Sequence, residues 1–317
     1  MALQQLQGSF LDDYNRLETY TNEIRESNPG SDVVINLSKD VVAEGKRRFL
    51  RMYICFNAMK LGFKEGLRPF IGLDGTFLKG HCKGQLLAVV DKENTLTWTW
   101  FLELLKHSLN LKDGTSITFM SDMQKGLLEA VRIVLPLSNH RFCVSHIEAN
   151  WSKRIGISGE MKKYLWWYAW STYEEDFKDQ LKSLGELSVD AAKELLRYLL
   201  QNWCRSYFNT LGKNQMVDNK FTESFNSLIL EARGKPILKM LEDIRNKVIN
   251  RLREKEDEAR TWGGKFSPKC MKLYAAYLKV ANLCTVHFNS ETGFEVSEGG
   301  DRHTMNLVEK KYTCRSW

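Results

Sequence analysis

Three acidic side chains, Asp74, Asp122 and Glu223, and a close Cys-x-x-His pair, Cys143 and His146, stand in settings that could support chemistry. Cutting and rejoining phosphodiesters needs charge neutralised at a nucleophilic and a leaving oxygen, which two Mg²⁺ ions about 4 Å apart can supply. Hard cations of that kind take carboxylate ligands. Asp74 closes an otherwise apolar run, Pro69 to Leu73, and is flanked by Gly72 and Gly75, which would let a phosphate backbone come close. The plain alternative is a strand-end aspartate turning with Gly75. Asp122 follows the strand-like Ile117 to Met120 and precedes a helical pattern, so its plain reading is an N-cap, a role compatible with holding a metal. Glu223 falls on the helix face opposite Phe221, Phe225, Leu228 and Ala232, facing either solvent or a site.

Cys143 and His146 offer half of a Zn²⁺ site. A buried thiol beside a hydrogen-bonded imidazole is the equally simple alternative, and His81 and Cys82 are further candidates. The chain has no Gly-x-Ser-x-Gly elbow and no Gly-x-x-x-x-Gly-Lys-Ser/Thr phosphate loop, so serine-hydrolase and P-loop chemistry drop out. Trp166, Trp167 and Trp170 could stack on bases, although aromatic clusters on amphipathic helices are more often core.

The elements that must position these residues follow from hydrophobic periodicity. Residues 1–65 read as mainly helical, with a turn at Ser27 to Asp32 and a short strand over Val33 to Leu37. Pro69 to Leu78 and Gln85 to Val90 read as two strands of a hairpin. Thr97 to Leu109 is a helix broken at Asp113-Gly114, and Ile117 to Met120 returns to strand. A helix then carries Leu127, Leu128, Val131, Val134 and Leu135 as far as Pro136. Ile147 to Leu211 is helical and rich in tryptophan. Asn219 to Arg233 is predicted as a helix capped by Asp218 or Asn219 and by Gly234. Pro236 opens another with Ile237, Leu241, Ile244, Val248 and Leu252 on one face, running into the charged stretch Arg253 to Arg260.

Composition sets broad limits. A 317-residue chain that is 43% hydrophobic and 27% charged has ample means for a folded core. Its apolar runs are far short of the roughly 20 residues a bilayer span needs, and no secretory signal opens it, so an intracellular protein is expected. Seven scattered cysteines suit a reducing compartment. The net charge of +7 is compatible with a nucleic-acid partner.

Longer motifs add to this. Arg68-Pro-Phe-Ile-Gly-Leu-Asp74-Gly-Thr-Phe-Leu-Lys-Gly80 resembles the first catalytic strand of plant Mutator-like (MULE) transposases. His140-Arg-Phe-Cys143-Val-Ser-His146-Ile-Glu-Ala-Asn-Trp151 resembles their Cys/His motif, and Asp218 to Asn226, continuing through Ile229 to Ile237, is similar to the segment bearing their third carboxylate. The resemblance runs from about Tyr14 onward. It implies an α/β fold with an RNase H-like core, a mixed sheet flanked by helices and interrupted by an all-helical insertion. It also implies a DDE triad of Asp74, Asp122 and Glu223 holding Mg²⁺ or Mn²⁺, with cleavage and strand transfer of DNA in the nucleus. A possible homo-oligomer and no membrane association go with it.

Three departures accompany the resemblance. After Val90 the chain passes through Asp91 to Asn94 directly into Thr97 and Trp98. Relative to the family pattern about 20 residues and one core strand are missing, which would leave the second strand's edge unpaired. Tyr312 to Trp317 resembles the opening of a terminal zinc finger without its later ligands, and no separate DNA-binding domain precedes the core. The expected organisation is an N-terminal mainly helical region, 1–65, then the first part of the core, 66–139. The Cys/His motif and helical insertion take 140–217, the helices bearing the third carboxylate 218–260, and the C-terminal region 261–317. The expected function is a degenerate or incomplete DDE transposase core. The alternative is a non-catalytic, transposase-derived DNA-binding or transcription-regulatory protein.

Overall fold

A computed structural model of the chain describes residues 13–37, 49–65, 69–78, 85–86, 89–90, 94–209, 214–309 and 311–313. In chain order the elements are α1 (Leu17–Ser27), β1 (Asp32–Leu37), β2 (Phe49–Cys55), α2 (Asn57–Glu65), β3 (Phe70–Gly72), β4 (Thr76–Phe77), β5 (Gln85–Leu86), β6 (Val89–Val90), α3 (Thr95–Leu109), β7 (Thr118–Ser121), α4 (Lys125–Val134) and β8 (Asn139–Phe142). Helices α5 (Val144–Ile155), α6 (Gly159–Trp170), α7 (Glu174–Leu187) and α8 (Val189–Leu195) follow. After them come α9 (Lys220–Leu228), α10 (Ile237–Arg260) and α11 (Pro268–Ala281), then strands β9 (Thr285–Ser290), β10 (Gly293–Glu298), β11 (Asp301–Asn306) and β12 (Lys311–Tyr312). The chain is therefore a mixed α/β protein.

Strand β7 is buried at every position and forms the middle of a parallel trio, β3-β7-β8. A parallel strand needs cover on both faces, which explains why Thr118 to Ser121 shows no alternation of polar and apolar residues. Helices α3 and α4 supply part of that cover. Asn94 caps α3 by accepting the Thr97 N–H, and Asn110 ends it in the left-handed conformation. The two helices meet where Gly126 lies against the backbone of Asn94 and Thr95; a Cβ there would come within 2.8 Å of Thr95 N. Trp98, Phe101, Leu102, Leu127, Val131 and Phe119 fill the core between helices and sheet.

The predicted strand Pro69 to Leu78 is two strands. Leu73 to Gly75 breaks the ladder, so that β3 pairs with β7 while β4 pairs antiparallel with β5. Gln85 to Val90 also divides, into β5 and β6, with Gln85 opposite Val90. The edge expected to be bare is occupied. Strand β2 pairs with β6, Arg51 opposite Val90 and Met52 opposite Val89, and β1 pairs with β2 outside it. A strand from upstream of the site thus supplies the missing ladder partner and hides an edge that would otherwise template aggregation. The N-terminal region accordingly holds the predicted Val33–Leu37 strand as β1 and a second strand, β2, where helix is predicted.

Residues 144–207 are helical, around a second core of Trp151, Leu165, Tyr168, Leu184, Leu195 and Trp203. A third core joins α1, β1 and β2 to the start of α10 through Leu17, Ile24, Val33, Met52, Ile237, Met240 and Leu241. Tyr20 Oη donates to Glu242 across that contact at 2.7 Å. Burial of the predicted apolar face of α10 fades along the helix: Ile237 and Leu241 are buried, Ile244 and Val248 half-buried and Leu252 exposed, as is nearly all of the charged 253–260 stretch. Beyond it, β9 to β12 form an antiparallel sheet in the order β12-β11-β10-β9, an element that the periodicity did not announce. Cys314, His81 and Cys82 lie outside the described residues. Among the described residues no helix is long and apolar enough to cross a membrane.

Candidate functional site

The carboxyl ends of the three parallel strands form a row. Gly72 stands opposite Met120, and Ser121 opposite Phe142. Continued past the strand ends, the first register sets Asp74 level with Asp122, and the second sets Asp122 level with Cys143. Backbone bonds carry the alignment past the last paired residues: Leu73 N–H donates to Met120 O at 2.8 Å and Cys143 N–H to Ser121 O at 2.9 Å. This is where open α/β sheets place ligands, because the chain leaves each strand there and side chains converge.

Asp122 is half-buried and does not cap α4. Gln124 does so, its side chain accepting the Leu127 N–H at 2.5 Å, while among the described residues the Asp122 carboxylate accepts the Gln124 N–H, at 3.2 Å. The predicted cap is therefore corrected. Asp74 is also half-buried and accepts from Asn226 Nδ2 at 2.9 Å.

Asn226 belongs to the segment that closes over the row. Helix α9 ends at Leu228, earlier than predicted, and Gly234 sits in a short 3₁₀ turn instead of capping it. Asn219 occupies the N-cap position but spends its side chain elsewhere. It accepts from Thr222 Oγ1 at 2.7 Å and reaches Leu73 O at 3.5 Å, while its N–H donates to Cys143 Sγ at 3.2 Å. Phe221 packs edge-on against Phe70, and Arg233 donates to Thr76 Oγ1. At 100° per residue Asn219, Thr222, Glu223 and Asn226 share one face. That polar face reaches the sheet ends, with Phe221 of the apolar stripe packed alongside it on Phe70. The apolar-stripe reading missed Asn219 and Asn226 for this reason; their signal was two asparagines spaced seven apart beside the third acid.

Gly72 makes the approach possible. A Cβ there would overlap Asn219, Phe221 and Thr222. The space predicted for a phosphate backbone is thus filled by α9.

Glu223 is exposed and lies beside the Cys-x-x-His pair. The ligand atoms of Cys143, His146 and Glu223 all lie within 4.8 Å of one another, a set to which Asp74 and Asp122 do not belong. Cys143 ends β8 and precedes α5, and His146 stands one turn into that helix. His146 Nδ1 is buried and, apart from the adjacent Cys143 sulfur, has no hydrogen-bond partner among the described residues. The Cys143 sulfur beside the ring holds the imidazole up at about 9, against the effect of burial, and the charges of Asp74 and Asp122 reinforce it.

Two further residues hold the row from behind. Arg141 is buried in β8, donates to Asn214 O at 2.6 Å and Met216 O at 3.3 Å, and stacks on Phe208 at 3.7 Å. Burial lowers its guanidinium to about 9. His140 shares a 2.8 Å hydrogen bond with Ser121 Oγ, which itself donates to Asp122 O, and burial pushes its imidazole down to about 4. A histidine lowered from its ordinary 6.5 contributes stability that is complete above pH 6.5 and is lost as pH falls towards 4. Between pH 7.5 and 5 the unfolding free energy is expected to fall by roughly 1–2 kcal/mol on this account, the ring being partly at the surface. Urea unfolding at the two pH values checks this, and His140→Gln should remove that part of the difference.

Of the tryptophans, Trp151 and Trp203 are fully buried, Trp166 donates to Glu148 at 2.7 Å, and Trp167 and Trp170 are exposed. Residues 86–150, about a fifth of the chain, match the family model of the MULE transposase domain. The match contains Asp122, Cys143 and His146, while Asp74 and Glu223 lie outside it. No curated protein gives a significant match.

Proposed function

Starting from a chain whose residues 86–150 match a MULE transposase domain, we propose that it is the core of a DDE-type transposase, with Asp74, Asp122 and Glu223 as its acidic triad and DNA as its substrate. The observation that carries the proposal is the levelling of Asp74 with Asp122 on adjacent parallel strands, under a helix that bears Glu223. An RNase H-like core is the matching fold reading. Its support is the run β2-β6-β5-β4, antiparallel throughout, whose last strand follows β3 in the chain, with β3 parallel to β7 and β7 to β8.

The donor set fits hard divalent cations: two half-buried carboxylates at a sheet edge and a third on a facing helix, all oxygen. Bound there, Mg²⁺ or Mn²⁺ would supply charge neutralisation at the attacking and leaving oxygens. The chain's own residues set the stage. Asn226 fixes the Asp74 carboxylate, and the Gln124 N–H holds one oxygen of Asp122. A DNA substrate points to the nucleus as the working compartment.

Nicking of duplex DNA with Mg²⁺ or Mn²⁺ is expected from the wild type and should fall at least about 100-fold in Asp74→Asn and Glu223→Gln. Equal rates in wild type and variants would sink the triad. A second reading, a non-cutting DNA-binding regulator of transposase descent, is favoured by Glu223 grouping with Cys143 and His146 instead of with the aspartates. DNA binding that survives in the triple carboxylate variant, with no cleavage by wild type, would select it.

A further inference from the structure

We propose that Cys143, His146 and Glu223 form a binding site for a thiophilic transition-metal ion of the Zn²⁺ class, beside the proposed hard-cation site and sharing Glu223 with it. The chemistry of the donors is distinct: one sulfur, one imidazole nitrogen and one carboxylate oxygen, a set that suits Zn²⁺ or Co²⁺ and disfavours Mg²⁺. Ligands at 2.0–2.3 Å from a tetrahedral ion stand roughly 3.3–3.8 Å from one another. The three ligand atoms here are within 4.8 Å, so an inward shift of about 1 Å completes the geometry. Glu223 is exposed and can make that shift, whereas Cys143 is fully buried and fixed by the strand end.

Two independent observations point to a ligand. His146 Nδ1 is buried and, apart from the adjacent Cys143 sulfur, has no hydrogen-bond partner among the described residues, an arrangement that costs free energy unless something takes up the nitrogen. Cys143 Sγ already accepts the Asn219 N–H at 3.2 Å, the kind of outer contact that steadies a metal-bound thiolate. Three protein ligands leave a fourth position for water. The pair that the spacing offered as half a site thus gains its third ligand from α9, and an ion bound there would fasten α9 to the start of α5.

The test uses the full chain, freed of metal, and Co²⁺ alone as the probe. A sulfur-to-cobalt charge-transfer band with strong tetrahedral d–d bands is expected at one equivalent. It should vanish in Cys143→Ser, and the affinity should drop more than about tenfold in His146→Ala and in Glu223→Gln. Because Cys143 is buried and its variant could misfold, the exposed Glu223 variant carries the decision. No thiolate band in the wild type overturns the site. So does a band that His146→Ala and Glu223→Gln leave unchanged, since it would arise at another cysteine such as Cys270 or Cys284. Metal binding is read without any DNA, so absence of cleavage would not count against this site, nor would its failure count against the acidic triad.

Discussion

Gly72→Ala is expected to destabilise the protein by about 2 kcal/mol, and Gly72→Val by more, although the backbone at this position would accept either residue. The added carbon meets Asn219, Phe221 and Thr222 at once. Phe221 can swing outward because nearly half of its surface is exposed, but Asn219 is fully buried and held between Leu73 and Thr222. Helix α9 must lift, and Asn226 then leaves Asp74. The expected reading is a lower urea midpoint with loss of the Asn226–Asp74 contact, seen as altered amide resonances in α9. Gly62 is the internal control. It lies inside α2 with nothing near its missing side chain, so Gly62→Ala should leave stability unchanged or raise it by up to about 1 kcal/mol. Equal behaviour of the two alanine variants would refute the close-approach account.

Arg141→Ala should cost about 3 kcal/mol and Arg141→Met distinctly less. Removing the side chain leaves Asn214 O and Met216 O without their donor and opens a void against Phe208. Methionine restores the volume and removes a desolvated cation at the same time. The start of α5, just after β8, is also joined to the segment leading to α9 by the Val144 N–H to Val217 O bond, so the connection should loosen without being lost. Comparing urea unfolding of the two variants decides the matter: equal losses would mean that packing against Phe208 contributes nothing.

Elements with a strong local period were legible in the sequence. Helices α3 and α4 fall within two residues of their predicted starts or ends, because Trp98, Phe101 and Leu102, and Leu127, Val131 and Val134, face one core. The β7 segment was legible as a short apolar run. What could not be read was partnership. Nothing local tells Leu73 to Gly75 to change ladder, or tells Phe49 to Cys55 to cross over and pair with Val89 and Val90. The site divides the same way. Cys143 and His146 are neighbours in sequence and were read together, whereas the arrival of Glu223 and Asn226 depends on how the helical stretch between returns the chain. The polar face of α9 was left open between solvent and a site, because amphipathic reasoning places only the apolar stripe, and here Asn219 and Asn226 on the polar face reach the sheet ends.

The levelling of Asp74, Asp122 and Cys143 implies that the protein keeps a count. Three strands of different origin must each deliver a particular residue at the same height, and a strand shifted by one place would present the opposite face as well as the wrong height. What the strands are made of matters less than how long they are: one branched apolar residue can stand for another, but an extra residue would put one end of the row out of step. The connections between them are under no such arithmetic, since a longer loop has only to reach. In this chain the side chains at the sheet's end are thus set by tally as much as by chemistry, and β3, β7 and β8 serve as three rulers laid against a common edge.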